Sequence, residues 1–305
     1  MNFTQNNHLR YTIGGRLYSE RQNSVEPYIL SVGQVDSENY KHSSYQNELL
    51  RTAELVYNDL GKEFALFLSG GTDSEIVARN FLDIGVTPVC YTIKFKDEYN
   101  ASDVAEAVDL AAELKVPLHV IDFDVKDFLR SGEAAEFGNK IQCTQITYLM
   151  VYHCILKLGI PSVMGGEVLL KRNIATSPSS WYYCIRENED ASAMRFSLTY
   201  NIPLVNEWFS YTPELLLYYL TDPGIVDLVT APLNYKLSSV TSKNTILRRL
   251  CPYVRDRRKT HGFEKLLGFN FEAYRQLTSS QLLRLEPSID GIEYSAVVKQ
   301  LKNQI

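Results

Sequence analysis

The chain has 305 residues, 45% of them hydrophobic and 22% charged, a length and composition that bury a sizeable core and point to a globular protein of one large domain or two smaller ones. A net charge of -5 and a pI near 5.6 exclude an overall field that attracts nucleic acid or an anionic membrane, so any anionic substrate is met locally. The five cysteines, Cys90, Cys143, Cys154, Cys184 and Cys251, are far apart and form no CxxC pair, which argues against a disulfide framework or a structural zinc site.

In chain order, residues 1–45 are polar and read as a small N-terminal appendage, with a hairpin around "RYTIGGRLYS" and a short strand at "YILSVGQV". No run of about 18 apolar residues occurs and the opening stretch lacks the regions of a signal peptide, so the expected location is cytoplasmic, with no membrane partner. From residue 46 the texture changes. "YQNELLRTAELVYNDLG" carries apolar residues at helical spacing and stops at Gly61, and the buried strand "FALFL" (64–68) follows. Next come a strand over 88–95, a helix over 101–116 and a strand over 117–125. In that helix Val104, Val108, Ala111 and Leu114 line one face and Ser102 is the expected N-cap. Residues 144–159 read as a buried helix and 160–167 as a fourth strand ending in a glycine turn. The alternation predicts an α/β fold: a parallel sheet with right-handed crossovers and helices on both faces. Beyond residue 170 it fades; "TPELLLYYLTD" and "SKNTILRRLCPYV" look helical, so a helical C-terminal extension is expected to pack on the sheet.

The stretch "LFLSGGTDSEIVARNF" runs from strand through a glycine turn into a helix. Ser69, Gly70 and Gly71 let backbone N–H groups approach a ligand, and the helix beginning near Ser74 turns its partially positive end to the same spot. That combination suits an anion. A Walker A loop would carry a Lys followed by Ser or Thr after its second glycine, and this loop has neither. Asp73 would repel a bare phosphate but is useful where Mg²⁺ bridges it to phosphate oxygens.

"SGGTDS" resembles the SGGxDS loop of the PP-loop ATP pyrophosphatases, which cleave ATP between its α and β phosphates. The following stretch, "YTIKFKDEYNASDVAEAVDLAAELKVPLHVIDFD", is similar to the corresponding part of the asparagine synthetases. That resemblance implies an adenine nucleotide alpha hydrolase-like fold and contacts from the second strand to adenine, which fall at Tyr91, Thr92 and Ile93. "TQITYLMVYHCILKLGIPSVMGGE" resembles the helix and strand that lead to the family's Ser-Gly-Glu-Gly-x-Asp-Glu turn, with Gly166 and Glu167 as its Gly-Glu pair. Glu167 is thereby implied as general base; the competing reading is a carboxylate at a helix N-terminus. The implied nucleotide-binding set is Leu68, Ser69, Gly70, Gly71, Asp73, Ser74, Thr92, Ile93, Gly165 and Gly166, with Asp73 as metal ligand and ATP and Mg²⁺ as cofactors.

The sequence departs from the family in three places. After Glu167 it reads "VLLK", so Leu170 stands where the family has an aspartate for a second metal contact; either Asp73, phosphates and water hold the metal, or another acid does. "SKNTILRRLCPYVRDRRKTHGFEK" is similar to the family's closing motif and implies Lys243 and Lys259 as charge-stabilising residues. Lys243, however, is one position further from Leu247 than the motif has it, a swing of about 100° on a helix. Position 2 is Asn2 rather than the catalytic Cys of a glutaminase, and residues 1–45 are too few for that domain. The resulting divisions are residues 1–45, a synthetase-like region 46–265 and an extension 266–305. The expected chemistry is ATP-dependent amide formation through an acyl-adenylate. Its partners would be a small-molecule carboxylate and ammonia, an amine or a separate glutaminase subunit. The rivals are adenylation of a nucleobase in tRNA or deazapurine modification, which the acidic balance disfavours for tRNA, and a non-catalytic nucleotide-binding module.

Overall fold

The computed structural model of the protein describes residues 10–13, 16–17, 28–143, 145–166, 168–172, 181–186, 192–230, 246–255 and 289–302. Strand β1 (Arg10–Ile13) pairs antiparallel with β2 (Arg16–Leu17) and β3 (Tyr28–Ser31), the hairpin and extra strand expected from the sequence. Helix α1 (Ser37–His42) is followed by α2 (Tyr45–Leu60), which Ser44 caps by accepting from the Asn47 N–H at 3.2 Å. The chain then runs through β4 (Ala65–Phe67), α3 (Thr72–Asp83), β5 (Val89–Phe95), α4 (Ala101–Leu114) and β6 (Leu118–Phe123). Helices α5 (Val125–Arg130), α6 (Glu133–Ile141) and α7 (Ile146–Leu158) precede β7 (Ser162–Val163). Next are β8 (Leu169–Arg172), β9 (Trp181–Arg186), α8 (Ser192–Tyr200) and β10 (Leu204–Val205). The last labelled elements are α9 (Pro213–Thr221), α10 (Pro223–Thr230), β11 (Ile289–Glu293) and α11 (Tyr294–Lys302).

The central sheet is parallel, in the order β10-β7-β4-β5-β6. Alternation along β4 explains why helices cover both faces. Leu66 and Leu68 enter one buried cluster with Leu49 and Val56 of α2, Ile76 and Phe81 of α3 and Leu216 of α9. Ala65 and Phe67 enter the other, with Phe128, Phe137, Leu149 and Phe196 of α5 to α8. This is the expected α/β architecture.

Three readings of the sequence are corrected. The buried stripe of α4 is Ala107, Leu110 and Ala111, whereas Val108 is 43% exposed. Asn100, not Ser102, occupies the N-cap position of α4. Leu170 belongs to strand β8, opposite Tyr183 of β9, and both are buried in the first cluster; that position is core, not part of a metal-binding turn.

Among the elements without a counterpart in the sequence reading are β10, helices α5, α6 and α8, and a second, antiparallel sheet in the order β11-β9-β8. The same cluster also takes in Val32 and Val35 near the N-terminus and Val297 and Leu301 of α11, and the Gln300 side-chain amide donates to the Val32 carbonyl at 3.0 Å. Among the described residues, no helix is long and apolar enough to cross a membrane. Cys90, Cys143, Cys154 and Cys251 are buried free thiols. Burial pushes Cys90 and Cys154 up to about 12 and Cys251 up to about 11, which keeps them protonated and inert.

Phe81 is fully buried, with ring centroids 4.7 Å from Phe64 and 5.2 Å from Trp208. Phe81→Ala is expected to cost about 3–5 kcal/mol, read as a lower urea midpoint; a loss under about 1 kcal/mol would mean the site collapses to fill the space. His153 is wedged among Phe123, Phe128 and Phe137, its Nε2 3.5 Å from Glu133. Burial lowers its pKa, against an opposing pull from Glu133. The unfolded state therefore binds the proton more readily, so stability is full above about pH 6.5 and falls as the pH drops from there toward the depressed native value. The wild type should lose more stability between about pH 7.5 and 5.5 than His153→Gln does; parallel pH profiles would refute this.

Candidate functional site

The sheet order places β4, the first strand of the parallel sheet, in the middle, with β5 and β6 to one side and β7 and β10 to the other. The chain order reverses between β4 and β7, and in open α/β sheets ligands bind outside the carboxyl ends of strands at such a switch point. The two glycine turns singled out in the sequence leave β4 and β7, and so flank this crevice.

The first turn is tied together by its own serines. Ser69 N–H donates to Ser74 Oγ at 3.2 Å, Gly71 N–H donates to Ser69 Oγ at 3.4 Å, and Ser74 Oγ donates to the Gly71 carbonyl at 3.0 Å. Gly71 then forms the N-cap of α3, whose opening N–H groups lie beyond reach of intrahelical acceptors. Gly70 adopts φ +70°, and a β-carbon there would lie 2.8 Å from both Ala107 N and Glu106 Cβ of α4. The loop and α4 are thus in backbone contact.

The second turn approaches the first just as closely. A β-carbon on Gly165 would lie 2.8 Å from Asp73 Cβ, and one on Gly166, at φ +69°, would lie 1.9 Å from the Asn206 carbonyl oxygen. Asn206 follows β10, which is held to β7 by Ser162 N–H donating to Pro203 O at 2.9 Å and Met164 N–H to Val205 O at 2.7 Å. Three strand ends therefore converge on one spot: Ser69–Asp73, Met164–Gly166 and Asn206–Glu207.

Two carboxylates occupy the first turn of α3. Glu75 is fully buried and accepts from Arg79 Nε at 2.9 Å and Nη2 at 2.7 Å, so its charge is committed. Asp73 is half-buried beside Gly165. Tyr45 at the start of α2 lies within its electrostatic range, and burial pushes the Tyr45 hydroxyl well above the usual range, with Cys251, Tyr219, Tyr253 and Asp73 adding to the shift. Among the described residues no group of three or more His, Cys, Asp and Glu side chains is placed to hold a metal. The residues fit Mg²⁺ in the form that uses one carboxylate, Asp73, completed by phosphate oxygens and water.

Leu68 is buried and its N–H donates to Tyr91 O at 2.8 Å, which brings β5 alongside the loop. Pairing of β4 with β5 ends at Phe67 and Tyr91, so Thr92 and Ile93 extend past the end of β4. The structure thus gathers Leu68, Ser69, Gly70, Gly71, Asp73, Ser74, Gly165 and Gly166 around one crevice, with Thr92 and Ile93 on its β5 side. Glu167, Lys243 and Lys259 lie outside the described residues, as do Arg257, Gly262 and Phe263. Of the closing motif, Leu247 is buried, Arg249 is ion-paired with Asp222, and Arg255 with Glu113 of α4.

The sequence reading missed Asn100 and Asn206. Asn100 Oδ1 accepts from Phe95 N–H and its Nδ2 donates to Ile93 O, both at 2.8 Å, which fixes the end of β5 beside the crevice. Its position before a helix in "EYNASD" was the available signal. Asn206 follows a strand of only two residues and carried none.

No protein-family model matches the sequence, and no curated protein does. Among solved structures, an NMN synthetase from Francisella tularensis is similar at 17% identity over 82% of this chain and 98% of that one, with a TM-score of 0.32. An NH3-dependent NAD synthetase from Campylobacter jejuni matches at 17% identity over 72% and 99%, TM-score 0.33. A predicted tRNA methyltransferase subunit from Methanocaldococcus jannaschii matches at 16% identity over 63% and 87%, TM-score 0.32. Likeness this loose assigns neither family nor activity.

Gly159 and Gly166 both adopt positive φ, +68° and +69°, but a β-carbon at Gly159 meets nothing within 4 Å. Gly159→Ala should therefore cost about 1–2 kcal/mol for the backbone conformation alone, and Gly166→Ala about 1–3 kcal/mol more. Equal shifts in urea midpoint would mean the Gly166–Asn206 contact yields freely.

Proposed function

We propose that the protein is a PP-loop enzyme that cleaves ATP between its α and β phosphates and uses the AMP unit to activate an acceptor carboxylate for amide formation. The observation that carries this reading is the "SGGTDS" loop at the switch point, pressed so closely against a second glycine turn that Gly165 leaves no room for a β-carbon beside Asp73.

The chemistry divides one difficult condensation into two steps. An acceptor carboxylate oxygen attacks the α-phosphorus; the new O–P bond forms as the bond to the β-phosphate oxygen breaks, giving an acyl-adenylate and pyrophosphate. An amine or ammonia nitrogen then attacks the acyl carbon, AMP leaves with the bonding electrons, and the surplus proton on nitrogen passes to a base. Gly70, Gly71 and the first turn of α3 would receive the β- and γ-phosphates through backbone N–H groups, and Ser69 and Ser74 hold that loop in shape. Asp73 would hold Mg²⁺, whose contribution is neutralisation of the charge that develops on the departing pyrophosphate. Thr92 and Ile93 would flank the adenine. By the family resemblance, Glu167 is the base and Lys243 and Lys259 stabilise the transferring phosphoryl group. The amine source is ammonia, an amine-bearing substrate or a glutaminase on another chain.

Incubation with α-labelled ATP, magnesium and a panel of carboxylic acids with ammonium tests the reading. AMP and pyrophosphate are the expected products, with Asp73→Ala lowering turnover by about 100-fold or more. ADP as the product, or AMP release unchanged in Asp73→Ala, would overturn it.

A further inference from the structure

Three asparagines are buried among the described residues: Asn80, Asn100 and Asn206. Asn80 donates to the Ile76 carbonyl at 2.6 Å and accepts from Gln46 at 3.3 Å. Asn100 makes its two bonds to β5. Asn206 is 2% exposed, and neither its Oδ1 nor its Nδ2 has a hydrogen-bond partner among the described residues. A carboxamide offers two N–H donors and two acceptor lone pairs, and burying all of them unmade is among the least favourable things a core can do. Thr52 and Trp208 also bury a polar atom without a partner, but one atom each and within the apolar packing. Asn206 differs in place as well as in number: its backbone carbonyl is the atom on which Gly166 rests, so the residue sits against the second glycine turn at the end of β10.

The sheet order says which substrate it would meet. β10 lies two strands from β4, on the side away from β5, roughly 10 Å across at the usual strand spacing. A nucleotide with its phosphates at the β4 loop and its base along β5 leaves the β7–β10 side for the acceptor. We infer, resting on the function proposed above, that Asn206 is a specificity-determining residue whose carboxamide binds a group on the acceptor that presents a hydrogen-bond donor and an acceptor side by side. A site built on a buried amide rejects an analogue that lacks one of the paired groups more strongly than an apolar pocket rejects a change of size.

The test compares the wild-type chain with Asn206→Leu, which removes both polar atoms at similar volume. Acceptor-dependent exchange of labelled pyrophosphate into ATP is measured with succinamate against monomethyl succinate, and with L-aspartate against succinate; each pair differs in the donor. ATP binding is followed by calorimetry and folding by the urea midpoint. The expected result is at least tenfold faster exchange with the donor-bearing member of one pair in the wild type. In Asn206→Leu that preference should be lost, with ATP affinity within twofold and a midpoint no lower. Should Asn206→Leu not fold, Asn206→Ala, which also removes both polar atoms, is read in the same way. Exchange that proceeds without discrimination, or discrimination that survives the substitution, overturns the assignment of Asn206 while leaving the adenylating chemistry intact. ADP formation or absence of ATP binding in the wild type defeats the parent reading, and bound ATP without exchange for any of the four acids overturns the proposed acceptor class.

Discussion

The site depends on one steric constraint: the ends of β4, β7 and β10 approach until there is no room for a β-carbon between them. Gly70 lies against the backbone of α4, Gly165 against Asp73, and Gly166 against the Asn206 carbonyl. Parallel neighbours ordinarily diverge once their ladder ends, because side chains on the following turns push them apart. Glycine at these positions lets the turns remain in contact. Backbone N–H groups held in this way have their dipoles fixed before any ligand arrives.

A helix that carries two acids in its first turn needs its charge managed. Glu75 is neutralised by Arg79, which also donates to Glu113 at 2.6 Å and lies with its guanidinium 5.9 Å from the Tyr253 ring centroid. Glu113 in turn pairs with Arg255. One network thus joins α3, α4 and the segment 246–255, and the apolar residues Ile246, Leu247, Cys251 and Val254 bury that segment from the same side. Packing and charge act together to set a C-terminal segment against the helix that begins at the first glycine turn. Of the two first-turn acids, the buried one supports the structure and Asp73 remains beside the crevice.

Much of this was legible in the sequence because the relevant signals are local. "FALFL" followed by "SGGTDS" encodes a strand, a turn and a helix start within a dozen positions, and the strand–helix alternation through residue 125 is periodic enough to give the parallel sheet. What failed to show was non-local. β9 pairs with β11 so that Ile185 faces Asp290, over a hundred positions apart, and no short-range pattern records such a pairing. β10 contributes only two residues, too few for alternation. The rotation of α4 was misjudged for a different reason. Val104 and Val108 form the more apolar stripe, but the contact of Gly70 with Glu106 and Ala107 sets which face turns inward. Small side chains win there because they permit close approach, and a hydropathy pattern does not measure distance.

Strand length gives the crevice two unlike sides. β5 continues four residues beyond its last partner on β4, from Thr92 to Phe95, and Asn100 pins that extension through Ile93 and Phe95. It stands above the loop as a wall. On the other side β7 and β10 stop level with β4, where Leu66 pairs with Val163 and Val163 with Val205. There the strand ends run directly into the Gly165–Gly166 turn, with Gly166 against the Asn206 carbonyl. The asymmetry follows from how far each strand runs before its turn.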